Sequence, residues 1–156
     1  MPADIYIEVS DAQITSENFT VASIVAIAKN TMPLQERVPD VQGDAYDLTS
    51  WYDAWKTLHH ANDSVIPTHV KVEAIDEFQA TLPWSQVNQA LFLYAQEGEE
   101  LKKGHPLRLY VPDGSSECLN VKSVVKIWFL HDAALGDEAT YGFKNTVSLD
   151  ELKIKK

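Results

Sequence analysis

The stretch THVKVEAIDEFQATL, from Thr68 to Leu82, carries the clearest secondary-structure pattern in the chain. In its first half, Val70, Val72 and Ala74 alternate with charged side chains, and FQATL alternates again in the second half. Alternation with a period of two places one set of side chains on a single face of a β-strand. IDEF lies between the two runs as a turn candidate, so the sequence predicts a β-hairpin from Val70 to Leu82.

Three further runs on either side of this hairpin predict strands: IYIEV (Ile5 to Val9), LRLYV (107–111) and VKSVVKIWFL (121–130). The segment PWSQVNQALFLY, which starts at Pro83, predicts a short helix followed by an apolar strand. TMPLQERVPDVQG (31–43) contains two prolines and a glycine, which favour a loop or a broken edge strand.

Helical spacing of apolar residues occurs in two segments. TVASIVAIAK has this spacing, with Thr20 as its candidate N-cap. DLTSWYDAWKTL places a stripe of large side chains on one helical face, which is more typical of a core than of a ligand platform. That stripe comprises Leu48, Trp51, Tyr52, Trp55 and Leu58. Near the C-terminus, Ser148 and Glu151 have the spacing of a capping box and predict a short helix.

These elements together predict an α+β fold, with one domain over residues 1–156, a mixed β-sheet and few helices. A chain of 156 residues suits one domain, and 45% hydrophobic residues are typical of a globular protein. No apolar run approaches the roughly 20 residues of a membrane helix, and the start MPADIYIEVSD shows no signal peptide. One cysteine, Cys118, allows no internal disulfide, so the sequence is interpreted as that of a cytoplasmic protein.

The formal net charge of −10 disfavours nucleic acid and anionic membranes as partners, since both bind cationic surfaces. The charge is unevenly distributed. From Leu101 to Trp128 there are five Lys or Arg residues and two acidic ones. This basic region is either a solvated sheet face with ordinary lysines, which charge alone favours, or a site for a small anionic ligand.

Arg108 lies in this basic region, inside the apolar strand LRLYV. Alternation places Arg108 and Tyr110 on the face opposite to Leu107 and Leu109. The sequence leaves open whether Arg108 binds an anion, pairs with an acidic side chain to stabilise the sheet, or faces water.

The remaining side chains that could take part in catalysis or metal binding predict neither kind of site. His59 and His60 are adjacent, and neighbouring side chains on a helix do not face one another. They could join His69 only through tertiary contacts, and no paired Cys or His spacing supports zinc. Cys118 has Lys122 as its nearby cation but no visible base, so a nucleophilic role is not expected. The nucleophile-elbow, dinucleotide and P-loop motifs are absent from the sequence.

From Asp76 to Ile127 the chain resembles the molybdopterin-binding domain of the sulfite oxidase family. IDEFQATLP, YAQEGEELKKGHPLRLYVP and NVKSVVKI are similar in order to the family's hairpin, its proline-leucine-arginine strand and its lysine-serine-valine strand. GDAYDLTSWYDAWKTL resembles its glycine-then-helix segment, and FTVASIVAIAK its first helix. The resemblance implies a molybdopterin-like cofactor whose phosphate is bound near Arg108, Lys122 and Ser123.

The chain departs from the family at the positions that handle the metal. The family's molybdenum is held by a cysteine in the loop between first helix and glycine, but residues 31–43 contain no cysteine and Cys118 lies elsewhere. A family histidine falls at Lys103, and the second lysine of the lysine-serine-valine-lysine run falls at Val125. The resemblance therefore implies a cofactor site without the thiolate ligand of the metal.

The sequence thus predicts a pterin- or small-anion-binding module of the sulfite oxidase fold without molybdenum redox chemistry. Its expected binding residues are Arg108, Lys122 and Ser123, and no protein partner is identified. The alternative is a molybdopterin-dependent oxidoreductase, or a component of one, that holds the cofactor without a protein thiolate.

Overall fold

Residues 5–144, which this computed structural model describes, form two α-helices and eleven β-strands arranged in two sheets. The predicted α+β class is confirmed. The helix predicted around Ser148 and Glu151 lies outside the described residues. No helix among residues 5–144 is long and apolar enough to cross a membrane.

The elements follow one another in a largely β order. The helices are α1 (Val21–Ile27) and α2 (Leu48–Leu58). The strands are β1 (Ile7–Asp11), β2 (Ser16–Phe19), β3 (Thr31–Pro33), β4 (Asp44–Asp47), β5 (His69–Ala74), β6 (Phe78–Pro83), β7 (Leu91–Gln96), β8 (Glu99–Glu100), β9 (Arg108–Tyr110), β10 (Val124–Leu130) and β11 (Thr140–Phe143).

The larger sheet is mixed, with the strand order β11-β6-β5-β10-β1-β2. The predicted hairpin is confirmed as the antiparallel pair β5–β6, in which Val72 lies opposite Ala80. The Asp76 carboxylate accepts a hydrogen bond from the Phe78 amide and closes the turn, as aspartate commonly does in turns. β10 pairs antiparallel with β5 but parallel with β1, so the carboxyl ends of β1 and β10 meet at one edge of the sheet.

The smaller sheet has the order β3-β4-β7-β8, and β9 pairs with residues 91–93 of β7, on the same side as β8. β2, β4 and β11 were missed in the sequence because each has four residues, too few to establish a period of two. Residues 31–43 contain the edge strand β3 and a single 3₁₀ turn, which agrees with the predicted broken strand.

Both helices begin after a side-chain cap, of which Thr20 was predicted from the sequence and Asp47 was not. The Thr20 side chain accepts a hydrogen bond from the Ser23 amide at the start of α1, and Asp47 caps α2 through the Ser50 amide. The predicted stripe on α2 is buried except at its last residue. Leu58 is 58% exposed, since α2 ends at this residue and the chain turns away from the core after it.

The principal core takes side chains from both sheets and both helices. At its centre the Phe129 ring is surrounded by four other aromatic rings, those of Trp51, Tyr52, Trp55 and Trp84. A second cluster lies on the other face of the smaller sheet and contains Leu34, Ala45, Leu91, Leu93, Leu101 and Tyr110. β9 therefore lies between two apolar regions, which sets the environment of Arg108.

Candidate functional site

Arg108 lies on the predicted face of its strand. Leu107 and Leu109 are fully buried in the principal core, whereas Tyr110 lies in the second cluster on the opposite face. The Arg108 side chain shares that face, and its guanidinium carbon is 5.3 Å from the centre of the Tyr110 ring. A cation at this distance is attracted by the ring, so Tyr110 helps to position the guanidinium.

The charge of Arg108 has no acidic partner within residues 5–144. The side chain is half-buried, yet none of the ion pairs formed by these residues includes it. An arginine at a half-buried position is usually paired with a carboxylate. The described residues therefore do not supply the internal ion pair that was one of the three interpretations of Arg108.

Gly104 provides the space for the Arg108 side chain. It has a left-handed backbone with φ of 80°, which glycine adopts without strain. A Cβ atom at this position would collide with the aliphatic part of Arg108. The Gly104 carbonyl also accepts a hydrogen bond of 3.2 Å from the Ser123 amide. One glycine thus contacts two of the three predicted binding residues.

Backbone hydrogen bonds bring Lys122 and Ser123 next to Arg108. The Leu109 amide donates to the Val121 carbonyl at 2.8 Å, and the Val124 amide donates to the Leu107 carbonyl at 2.9 Å. Between these two bonds, residues 107–109 contribute one residue, Arg108. Residues 121–124 contribute two, Lys122 and Ser123. Two residues opposite one is the arrangement of a β-bulge. Ser123 has φ of 56°, a left-handed conformation that accommodates the extra residue. We call Arg108, Lys122 and Ser123 the bulge site.

Lys122 is exposed and also lines a shallow groove of about 250 Å³. Asp76 and Cys118 line the same groove, whereas Arg108 does not. The bulge site is therefore defined by the close approach of its backbone segments. Arg108 and Lys122 do not line a common cleft. Cys118 is exposed in a 3₁₀ turn and is not part of residues 31–43, where the resemblance would require a thiolate.

Residues 31–43 are held to α2 by an ion pair. Arg37 donates to the Asp47 carboxylate, which also accepts hydrogen bonds from Thr49 and the Ser50 amide. Burial by itself would raise the pKa of Asp47, but the hydrogen bonds from Ser50, Arg37 and Thr49 lower it below its ordinary value. Asp47 therefore stays ionised as the cap of α2, and Arg37 is committed to a structural contact.

The three histidines considered for zinc lie in different environments. His59 contacts the Glu17 carboxylate at 3.0 Å, and His60 is exposed with φ of 56°. His69 is buried, with its ring nitrogens bonded to the Thr68 hydroxyl and the Gly136 carbonyl. No group of three or more His, Cys, Asp or Glu residues in the described part of the chain is arranged to hold a metal ion.

The sequence did not predict a second polar site, a buried hydrogen-bond network around Asp11. The Asp11 side chain is fully buried and accepts three hydrogen bonds: from His131 Nε2 at 2.9 Å, the Gln13 amide at 2.8 Å and the Tyr52 hydroxyl at 2.7 Å. A buried carboxylate is stable when several donors replace its water. Burial and then the hydrogen bond to Asp11 raise the pKa of Tyr52, so this hydroxyl remains a donor. We call these residues the Asp11 network.

Local sequence could not reveal the Asp11 network. Asp11 ends β1 and His131 follows β10, and the two approach each other only because these strands are parallel neighbours. Tyr52 was correctly placed in the core stripe of α2, but a period of 3.6 does not show that its hydroxyl reaches Asp11. The network lies where ligands commonly bind in sheets with parallel strands, beyond their carboxyl ends.

Two buried tyrosines predict a loss of stability at high pH. Burial raises the pKa of Tyr46 well above its ordinary value, and burial together with Asp11 raises that of Tyr52. The folded state then retains two phenol protons that the unfolded chain releases. Their stabilisation is complete below about pH 10 and falls above it, by up to about 1.4 kcal/mol per pH unit for each tyrosine.

Urea unfolding between about pH 9 and about pH 11 measures this slope. Tyr52→Phe should reduce the slope by the contribution of one group. Equal slopes for the wild-type protein and Tyr52→Phe would contradict the prediction.

Comparison with known proteins adds no relationship to these observations. No family model matches the chain, and a search of curated proteins finds no match. The resemblance to the sulfite oxidase family therefore remains a prediction from the sequence.

Proposed function

We propose that this protein is a small-anion-binding module whose ligand carries a phosphate or a similar oxyanion at the bulge site. One observation carries the proposal: the backbone places Lys122 and Ser123 opposite Arg108, a half-buried residue whose guanidinium has no acidic partner within residues 5–144. A positive charge in this position is balanced when an anion binds.

The three side chains supply complementary donors for an oxyanion. The Arg108 guanidinium offers a planar fork that can bind two oxygens, and the Lys122 ammonium adds a charge. The Ser123 hydroxyl adds a neutral donor. Tyr110 and Gly104 restrict the Arg108 side chain, which lowers the entropic cost of fixing it on a ligand. The surrounding segment has an excess of basic residues in an otherwise acidic chain.

A pterin phosphate is the favoured ligand class, because Arg108, Lys122 and Ser123 match the positions that the family resemblance assigns to the cofactor phosphate. The same residues do not favour molybdenum. The metal prefers a thiolate in residues 31–43, which the sequence lacks, and Cys118 lies in another segment. The proposal therefore includes no molybdenum redox chemistry, and no observation supports the alternative oxidoreductase.

A cytoplasmic location is part of the proposal and is supported by the exposed thiol of Cys118.

Thermal unfolding with phosphate, sulfate and a pterin phosphate, all at one ionic strength, tests the proposal. At a concentration 100 times its dissociation constant, a ligand of the folded state should stabilise it by about 2.7 kcal/mol. Arg108→Ala should abolish this increase, and Lys122→Ala should reduce it. Lys29→Ala is the control, because Lys29 is exposed and far along the chain from the bulge site. The proposal fails if no anion raises the melting temperature, or if Arg108→Ala and Lys29→Ala respond alike.

A further inference from the structure

A cavity lies beyond the carboxyl ends of β1 and β10. It has a volume of about 580 Å³ and is lined by residues 10–13, Thr15, Ser16 and residues 128–131. This volume is typical of sites for small molecules. None of the three bulge-site residues lines it, so any function of this cavity is separate from anion binding.

His131 connects the cavity to the Asp11 network. It lines the cavity, and its side chain is 14% exposed. Its Nε2 atom is bonded to the buried Asp11 carboxylate, so in the neutral imidazole the proton is on Nε2 and Nδ1 is an acceptor. Asp11 in turn is held by Tyr52 and the Gln13 amide. The orientation and the tautomer of His131 are therefore set by contacts from three separate elements.

The Nδ1 atom of His131 is accessible to solvent. It forms no hydrogen bond with residues 5–144. Among these residues, Tyr46 Oη is the buried side-chain polar atom that lacks a partner, so the unpaired Nδ1 atom is not buried. A fixed acceptor at the wall of a cavity can accept a hydrogen bond from a bound donor in place of water.

The remaining lining side chains favour an uncharged ligand. They include no Lys or Arg, and the carboxylate among them, Asp11, already has three donors. The hydroxyls of Ser10 and Ser16 are bonded to each other at 2.9 Å. Trp128 and Leu130 add apolar surface. The wall thus combines one oriented acceptor with apolar contacts and the polar side chains of Gln13 and Thr15.

We propose that this cavity binds a small, uncharged molecule with a hydroxyl group on a ring or an apolar chain, whose O–H group donates to Nδ1 of His131. The ligand's apolar part contacts Trp128 and Leu130. Asp11 is the residue that positions His131, since its carboxylate is bonded to Nε2 and fixes the tautomer.

Phenol and anisole form a matched pair of probes for this site, because both have the same ring and only phenol has an O–H donor. In nitrogen-15 NMR spectra of the wild-type protein, phenol should shift the Nδ1 resonance of His131 with saturation. Anisole should bind about tenfold more weakly, which corresponds to one lost hydrogen bond. The other four histidines of the chain are internal controls. Inorganic phosphate should leave Nδ1 of His131 unchanged, even if it binds at the bulge site.

The His131→Phe variant removes the acceptor while retaining a ring, and it should bind phenol no better than anisole. If that variant does not fold, the wild-type spectra alone decide. Equal affinity of the wild-type protein for phenol and anisole would overturn the proposal. A phenol response that does not include His131, or a response of His131 to phosphate, would overturn it as well.

Discussion

Asp11→Ala is expected to lower the free energy of unfolding by about 3–5 kcal/mol, the usual cost of removing one partner from a buried charged pair. The substitution leaves three donors without their acceptor: His131 Nε2, the Tyr52 hydroxyl and the Gln13 amide. These groups lie on different elements, so the loss also loosens the contact between α2 and the edge of the larger sheet.

Urea unfolding near neutral pH measures this effect. Asp11→Asn retains the shape and one acceptor oxygen, so its loss should be smaller than that of Asp11→Ala. Glu138→Ala removes an acidic side chain from an exposed position and should change stability by less than about 0.5 kcal/mol. If Asp11→Ala were as mild as Glu138→Ala, the Asp11 network would not be a stabilising element.

Phe129→Ala is the second substitution with a large expected effect, a loss of about 3–5 kcal/mol. Phe129 is 2% exposed, and its ring centre lies 4.4 Å from that of Tyr52 and 6.0 Å from that of Trp84. The rings of Trp51 and Trp55 complete the cluster. Since the surrounding rings come from α2 and the turn after β6, they cannot readily move into the space that the Phe129 ring vacates.

The control for this variant is Phe143→Ala, because Phe143 is 45% exposed. Phe129→Ala should weaken the near-ultraviolet circular dichroism of the packed tryptophans as well as the resistance to urea, whereas Phe143→Ala should preserve both to a much greater extent. Equal losses of stability in the two variants would show that the aromatic cluster is not the centre of the core.

The sequence predicted those parts of the fold that depend on local periodicity. The β5–β6 hairpin, the strand around Arg108 and the core face of α2 each follow from spacing within a single segment. Leu58 was misassigned because a helical period does not show where the helix ends. The parallel pairing of β1 with β10 was not predictable, since the two strands are more than a hundred residues apart and no local signal records which strands become neighbours.

In the candidate sites, too, local periodicity predicted single residues but not which distant residues come together. Alternation alone placed Arg108 opposite to the core. Its proximity to Lys122 and Ser123 depends on a bulge, which no pattern in either segment specifies. The Asp11 network depends on three distant residues, of which only Tyr52 had been singled out, and only as a core residue.

A titration of the protein with inorganic phosphate at constant ionic strength, followed by proton–nitrogen NMR, is the most direct test of the proposed function. The account predicts saturable shifts of the Gly104 and Ser123 amides and of the Arg108 side-chain N–H, all lost in Arg108→Ala and retained in Lys29→Ala. The absence of saturable shifts, or shifts confined to residues outside the bulge site, would contradict it.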